Sequence, residues 1–210
     1  MTTIALLRQT YANRNLGRAD GLAEPWTDGD VDQHLAEAIR QTWPLLGKRA
    51  NGTVATNQAS DVYTVPAALS ATDFRISRIE LEYSSGGQTK KVDEVKSWQL
   101  YSDTQIRIRP LLATDASAVL RVFGWIPFLA DASDLPVRLE VAIAARAVGL
   151  CFGQLASKLV NSERQQGLED GRVVDYQTAV GLSAYWERRY FEQADGDPAK
   201  ISVGPRAARR

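Results

Sequence analysis

The longest hydrophobic stretch of the chain runs from Leu135 to Val160 and repeats with the period of an α-helix. Leu139, Ile143, Ala147, Leu150, Ala156 and Leu159 mark one stripe, with Gln154 on the same line. Val141, Ala144, Val148, Cys151, Phe152 and Leu155 fill the neighbouring face. A helix this apolar has to be covered on more than one side. Asp134 is placed to cap it, and Pro136 falls in the first turn, where a missing N–H costs nothing. At about 1.5 Å per residue the helix would be roughly 39 Å long. Arg138, Glu140, Arg146 and Lys158 interrupt it, so its longest uncharged run, Ala147 to Ser157, is far short of the about 20 residues of a membrane span. The pattern therefore predicts the central helix of a bundle, with Leu139, Ile143 and Ala147 as candidate contacts to a neighbouring subunit. A polar break containing Gly167 and Gly171 follows. A second helix is predicted from about Arg172 to Glu192, with Tyr176, Val180, Ala184 and Tyr185 on one side and Leu182, Trp186 and Tyr190 around it. Tyr185, Trp186 and Tyr190 join the candidate subunit contacts, and the two helices are expected to pair antiparallel.

Toward the N-terminus the same period returns. Ile4, Leu7 and Tyr11 predict a short helix from Thr2 to about Arg14, followed by a loop rich in Gly, Asn and Asp. Thr27 or Asp28 caps a second helix, whose first turn carries Asp30 and Asp32 and whose apolar stripe is Val31, Leu35, Ile39 and Trp43. Trp26, just before the cap, is placed to staple onto that stripe, and Pro44 and Gly47 end the helix. From about Arg49 the helical stripes give way to short apolar alternations. Strands are predicted at Val62–Val65, at Phe74–Tyr83 with a phase slip at Ser77-Arg78, around Val92–Tyr101, at Gln105–Arg109 and at Ala118–Trp125. The expected architecture is α+β. A helical bundle, with residues 1–48 giving two helices and 131–193 two long ones, is interrupted by a small antiparallel β insertion at 49–130. An extended C-terminal arm, 194–210, completes the chain.

Composition narrows the chemistry. Lys plus Arg balances Asp plus Glu at 25 each, so no global field draws the chain to nucleic acid or to a membrane. The single cysteine excludes an internal disulfide framework, and its apolar setting reads as an inert core thiol. MTTIALLRQTYANR lacks the basic segment and apolar run of a signal peptide, which points to synthesis in the cytoplasm and a soluble protein. His34 is the only histidine, so neither a Cys-His nucleophile pair nor a zinc constellation is expected. Asp28, Asp30 and Asp32 imitate the opening of a calcium loop, but Gln33 stands at its glycine position and Ile39 at its closing glutamate. Phosphate-loop, dinucleotide and nucleophile-elbow motifs are missing. The expectation is a non-enzymatic protein with no cofactor. Five Trp, seven Tyr and a helix apolar almost all round favour a component of an assembly.

The layout resembles the head-to-tail adaptor (connector) proteins of tailed bacteriophages, also found in prophages and gene transfer agents. TIALLRQTYANRNL and WTDGDVDQHLAEAIRQTWPLL look like that family's first two helices. YTVP, RISRIELEY and LRVFGWIPFL look like its β insertion, and DLPVRLEVAIAARAVGLCFGQL with AYWERRYFEQA like its closing helices. The resemblance implies a structural protein of the virion neck. Such proteins form a ring, usually of twelve copies, between the portal and a stopper or other tail protein, and genomic DNA passes through the channel without sequence recognition. It also gives the arm a task, docking on the portal, for which the arm's composition nominates Ile201, Val203, Pro205, Arg206, Arg209 and Arg210. Another tail-completion or minor capsid protein is the nearest alternative, and a DNA-binding regulator a more distant one.

Overall fold

The structure, a computed structural model, describes residues 2–19, 21, 25–57, 59–70, 73–85, 88–109, 118–160, 166–168 and 173–195, with the backbone alone for 84, 85 and 88–91. Helices at both ends of the sequence and antiparallel strands between them make an α+β fold. The described residues form two compact units, 2–46 with 128–195 and 47–127.

The first unit is helical. α1 (Ile4–Leu7) runs through a π-helical segment, Arg8–Ala12, into α2 (Asn13–Leu16), and Gly17 ends the run in the left-handed conformation at φ 65°. α3 (Asp28–Thr42) starts with a capping box. The Asp30 N–H donates to Thr27 Oγ1 at 3.1 Å, and the Thr27 N–H donates to Asp30 Oδ2 at 2.8 Å. Its buried side chains, Val31, Leu35, Ala38, Ile39 and Thr42, fall on one stripe.

α5 (Glu140–Leu159) is the axis of this unit, preceded by a 3₁₀ turn at Val137–Leu139. Thirteen of its twenty residues are buried, among them Ile143, Ala147, Val148, Cys151, Phe152 and Leu155. Asp134 does not cap it. The helical turns start too late for its side chain to reach their free N–H groups, and Asp134 Oδ1 instead accepts from the Leu129 N–H at 2.8 Å. Trp26 shares one core cluster with Val31 and Leu35 of the α3 stripe and also packs on α5: it is fully buried, edge-on to Phe152 at 5.3 Å, and its indole N–H donates to the Cys151 carbonyl at 3.0 Å. A buried indole needs such a partner, and the apolar surface of α5 is where one is offered. α6 (Tyr176–Ala194), capped by Asp175, closes the unit; of the two-stranded ribbon before it, β8 (Gln166–Gly167) lies in the expected polar break, whereas β9 (Val173–Val174) occupies the first residues of the helix expected from about Arg172.

The second unit holds two antiparallel sheets over one core. β1 (Lys48–Ala55), β3 (Arg75–Ser85), β4 (Gln88–Glu94) and β7 (Ala118–Ile126) form one sheet in the order β1-β7-β3-β4. β2 (Val62–Thr64), β5 (Trp98–Ser102) and β6 (Gln105–Ile108) form the other in the order β2-β6-β5, and a single turn, α4 (Ala67–Ser70), adds Leu69 to the core. The register shift of β3 against β7 falls between Ile76 and Arg78, where the alternation slips. β1 carries no clear apolar alternation and was not among the expected strands. The Val92–Tyr101 region, read as one strand, is two strands in different sheets. The chain changes partners between them: the Val95 N–H donates to the Ile79 carbonyl at 2.8 Å, whereas Ser97 accepts from the Arg109 N–H at 3.1 Å.

Gly124 is tightly packed against backbone. A Cβ there would lie 2.5 Å from the Arg75 carbonyl oxygen and 2.9 Å from Leu69 Cδ2. Gly124→Ala is expected to destabilise by about 1–3 kcal/mol in denaturant unfolding. Gly29→Ala, whose added Cβ would meet only Thr27 Oγ1 at 3.6 Å, is expected to be neutral or mildly stabilising.

Candidate interaction surface

The arrangement that sets this chain apart is the α5–α6 pair, in which one helix is wrapped and the other is covered on one side only. The two run antiparallel, since Arg146 meets Glu187, Gly149 faces Ser183 and Trp186, and Val160 shares a cleft with Tyr176. Close approach depends on Gly149, where a Cβ would lie 3.3 Å from the Ser183 carbonyl oxygen and 3.5 Å from the Glu187 nitrogen. Ser183 Oγ donates to the Gly149 carbonyl at 2.8 Å and fastens the same crossing point.

Of the nineteen residues of α6, only Ala179, Tyr190 and Ala194 are buried, with Leu182, Ser183 and Trp186 half-buried beside them. Tyr176, Val180, Tyr185 and Phe191 are 42–48% exposed. At about 100° per residue, Tyr176, Val180, Ala184 and Phe191 fall within an arc of roughly 80°, an apolar stripe beside the buried one that Glu187, on the same arc, interrupts between Ala184 and Phe191. Tyr185 stands apart from that stripe and packs edge-on against Trp186 at 5.2 Å. Between the stripe and the end of α5 lies an open cleft of about 500 Å³, lined by Gly153, Ala156 and Val160 on one side and Tyr176, Val180 and Ala184 on the other. Val160 is itself half exposed.

This placement revises the expected subunit contacts. Leu139, Ile143 and Ala147 are fully buried inside the chain's own core, and Tyr190 is 3% exposed beneath Arg146, whose guanidinium lies 5.7 Å from its ring centre. Trp186 is half-buried on α5, and only Tyr185 of the six presents much surface. The correction has a simple cause: α3, the N-terminal helical run and α6 supply enough apolar surface to cover α5 from within. Val137–Leu159 is long and apolar enough to cross a membrane, and 72% of an 18-residue apolar window within it is buried in this way. The six arm residues Ile201, Val203, Pro205, Arg206, Arg209 and Arg210 lie outside the described residues.

A second cleft, of about 330 Å³, gathers the polar side chains His34, Arg146, Gln154, Ser157, Ser183 and Glu187. Each is engaged within the protein. His34 Nε2 lies 3.2 Å from Gln154 Oε1, Arg146 pairs with Glu187 and donates to Gln41 at 3.1 Å, and Ser157 donates to the Gly153 carbonyl at 3.0 Å. Hydroxyls committed to helix carbonyls are poorly placed to act as nucleophiles. The Cys151 thiol is buried, and burial raises its pKa far beyond the reactive range. Among the described residues no three His, Cys, Asp or Glu side chains gather as metal ligands. The acids of α3 serve structure. Arg18, whose side chain is 1% exposed, donates to Asp28 at 2.7 Å and to Asn13 at 2.6 Å, and Arg8 pairs with Asp32.

No protein-family model matches the chain, and no curated protein does. Solved structures that contain similar chains include three of gene transfer agent particles. One is the neck of an empty gene transfer agent (GTA) particle computed with C6 symmetry, 17% identical over 87% of this chain and 87% of that chain, with a TM-score of 0.31. The virion of the native GTA particle gives the same values. The neck of the native GTA particle computed with C12 symmetry is 14% identical over 88% of this chain and 93% of that one, with a TM-score of 0.26.

Two predictions follow from these side chains. The Arg18 hydrogen bond holds the Asp28 carboxyl below its ordinary range, and the Thr27 hydroxyl and the Thr178 N–H do the same for Asp30 and Asp175. Groups with depressed folded-state pKa values stabilise the fold above their unfolded pKa of about 4, and that contribution is lost as pH falls through the folded-state values. The urea midpoint is therefore expected to hold from neutral pH to about 5 and to fall steeply below about 4, less steeply in Asp28→Asn. The Tyr190 hydroxyl is buried without a hydrogen-bond partner among the described residues. Tyr190→Phe is expected to stabilise by up to about 1 kcal/mol, and a loss of stability would show that the hydroxyl is satisfied.

Proposed function

We infer that the protein is a structural component of the neck of a tailed, phage-like particle, a head-to-tail adaptor that joins copies of itself into a ring between the portal and a stopper or tail protein. The observation that carries this reading is the apolar stripe of α6, Tyr176, Val180, Ala184 and Phe191, left uncovered beside a complete core. Exposed apolar surface of this kind, crossed by Glu187 and bordered by Arg188, marks a surface that meets another protein. The sequence layout of two short helices, a β insertion and two long helices supports the family, and a ring of twelve copies is what that family implies. In this reading the chain is not an enzyme and takes no cofactor. DNA passes through the ring without sequence recognition, and residues 197–210 dock on the portal through Ile201, Val203, Pro205, Arg206, Arg209 and Arg210.

The experiment is assembly with a portal ring, followed by native mass and sedimentation. Val180→Glu and Phe191→Glu replace exposed side chains, so each is expected to leave the thermal midpoint within a few degrees of the parent while reducing ring formation at least tenfold. Removing residues 197–210 is expected to leave folding unchanged and to abolish portal attachment. Rings that form normally in both glutamate variants would remove the basis of the proposal.

A further inference from the structure

The face that α5 turns to the core outlasts its cover. At about 100° per residue, Val141, Val148 and Leu155 stand on one line of the helix, and Val137 leads onto it from the 3₁₀ turn. Val148 and Leu155 are buried, yet Val141 is 42% exposed and Val137 is 72% exposed. Leu129, 48% exposed, stands on the loop that leads into this turn. The loop is closed by its own hydrogen bonds. The Leu129 N–H donates to Asp134 Oδ1, the Leu129 carbonyl accepts from the Ala132 N–H at 3.0 Å, and the Ala132 carbonyl accepts from the Leu135 N–H at 3.1 Å. Ala132 itself is fully buried in the left-handed conformation at φ 65°, which a residue with a Cβ adopts only where its surroundings impose it. Leu129, Val137 and Val141 are thus three apolar side chains held outward by a hydrogen-bonded backbone.

They are the counterpart of the cleft at the other end of the same helix. Val137 lies roughly 35 Å along the axis from Val160, which lines that cleft with Tyr176, Val180 and Ala184. The cleft is an open hollow of about 500 Å³, and Val137 is an apolar side chain standing in solvent. At this separation the two cannot cover one another within one copy. Two copies meeting cleft to cleft would make an isologous pair, which stops at a dimer and leaves Val137 uncovered on both. A cleft filled by Val137 and Val141 of the next copy covers both surfaces on every copy, head to tail. The borders agree in charge: Arg188 is exposed beside the α6 stripe, and Asp131 is exposed two residues from Leu129.

We propose that the cleft between α5 and α6 receives Leu129, Val137 and Val141 of a second copy of this chain, in a heterologous contact. This rests on the reading of the α6 stripe as a self-contact and adds which surface of the next copy meets it. Full chains are assembled on a portal ring and followed by sedimentation. Val137→Glu alters a side chain already largely in solvent, so the thermal midpoint is expected to stay with the parent while ring formation falls roughly tenfold. Val180→Lys alone is expected to weaken it to a similar extent. Combined in one chain, the two substitutions bring opposite charges together across every contact, and ring formation is expected to return to within about threefold of the parent. In a cleft-to-cleft pair the same chain sets lysine against lysine and gains nothing. Under mild oxidation a mixture of Val137→Cys and Val180→Cys chains is expected to form a mixed disulfide that neither chain forms alone, with the buried Cys151 silent. Full ring formation in Val137→Glu, a double variant no better than either single one, or a disulfide formed by Val180→Cys chains alone would overturn the proposal and leave the stripe as a self-contact of another kind. A parent chain that forms no ring would overturn the neck reading and this contact with it.

Discussion

Coverage of α5 by the chain's own helices is the constraint on which the helical unit depends. Its apolar residues face several directions, so no single partner helix could bury them. Three elements share the work. α3 lays down Val31, Leu35, Ala38 and Ile39, the N-terminal run contributes Leu7, Ala12 and Leu16, and α6 crosses at Gly149 and Gly153. Trp26 completes the seal, because its ring fills space against Phe152 while its N–H satisfies the Cys151 carbonyl. Fully burying side chains of the size of Ile143, Phe152, Leu155 and Leu159 contributes about 1.5–3 kcal/mol each. That is comparable with the whole net stability of a typical domain. Charged residues on α5 are tolerated only where the surroundings answer them, as with Glu140, which accepts from Thr2 Oγ1 at 2.6 Å in the first turn.

That coverage also explains which parts of the fold were legible in the sequence. Helix positions came through because a 3.6-residue period is a local property, and the start of α3 came through because Thr27 and Asp30 form a local hydrogen-bonded box. The direction in which α5 is covered was not legible. An apolar residue such as Ile143 looks the same from the sequence whether its neighbour is the chain's own α3 or another copy. What does distinguish them is the partner helix. α6 alternates buried and exposed apolar residues, so its own pattern, Tyr176 and Val180 against Ala179 and Tyr190, marked the open face more faithfully than the richer pattern of α5.

The β unit was legible strand by strand but not as a surface. Alternation placed β2, β6 and β7, and the slip at Ser77 placed the irregularity of β3. β1 escaped because its inward positions are Ala50, Gly52 and Val54, small residues that leave little apolar signal. A Cβ at Gly52 would sit 2.4 Å from Pro66 Cβ, so the smallness is demanded by packing. The stacking of Arg49 on Trp125 escaped for a different reason. A search for basic residues interleaved with aromatics examines neighbours in sequence, whereas Arg49 and Trp125 become neighbours only through an antiparallel pairing of strands far apart in the chain.

The size of the open stripe on α6 bears on how such a subunit would assemble. Tyr176, Val180 and Phe191 each retain a little under half of their exposure, so covering them returns on the order of 1 kcal/mol apiece. Association costs several kcal/mol or more in lost translational and rotational freedom. The stripe is thus too small to hold two free copies together by itself, whatever its shape. In a closed ring the balance changes, because every subunit makes two heterologous contacts and the last one joins at both edges. A surface that already presents its partners in a circle removes much of the entropic cost, in the manner of linked binding sites. The modest stripe therefore fits a subunit that stays dispersed until a template orders it, and a larger one would work against that by driving association before the template is met.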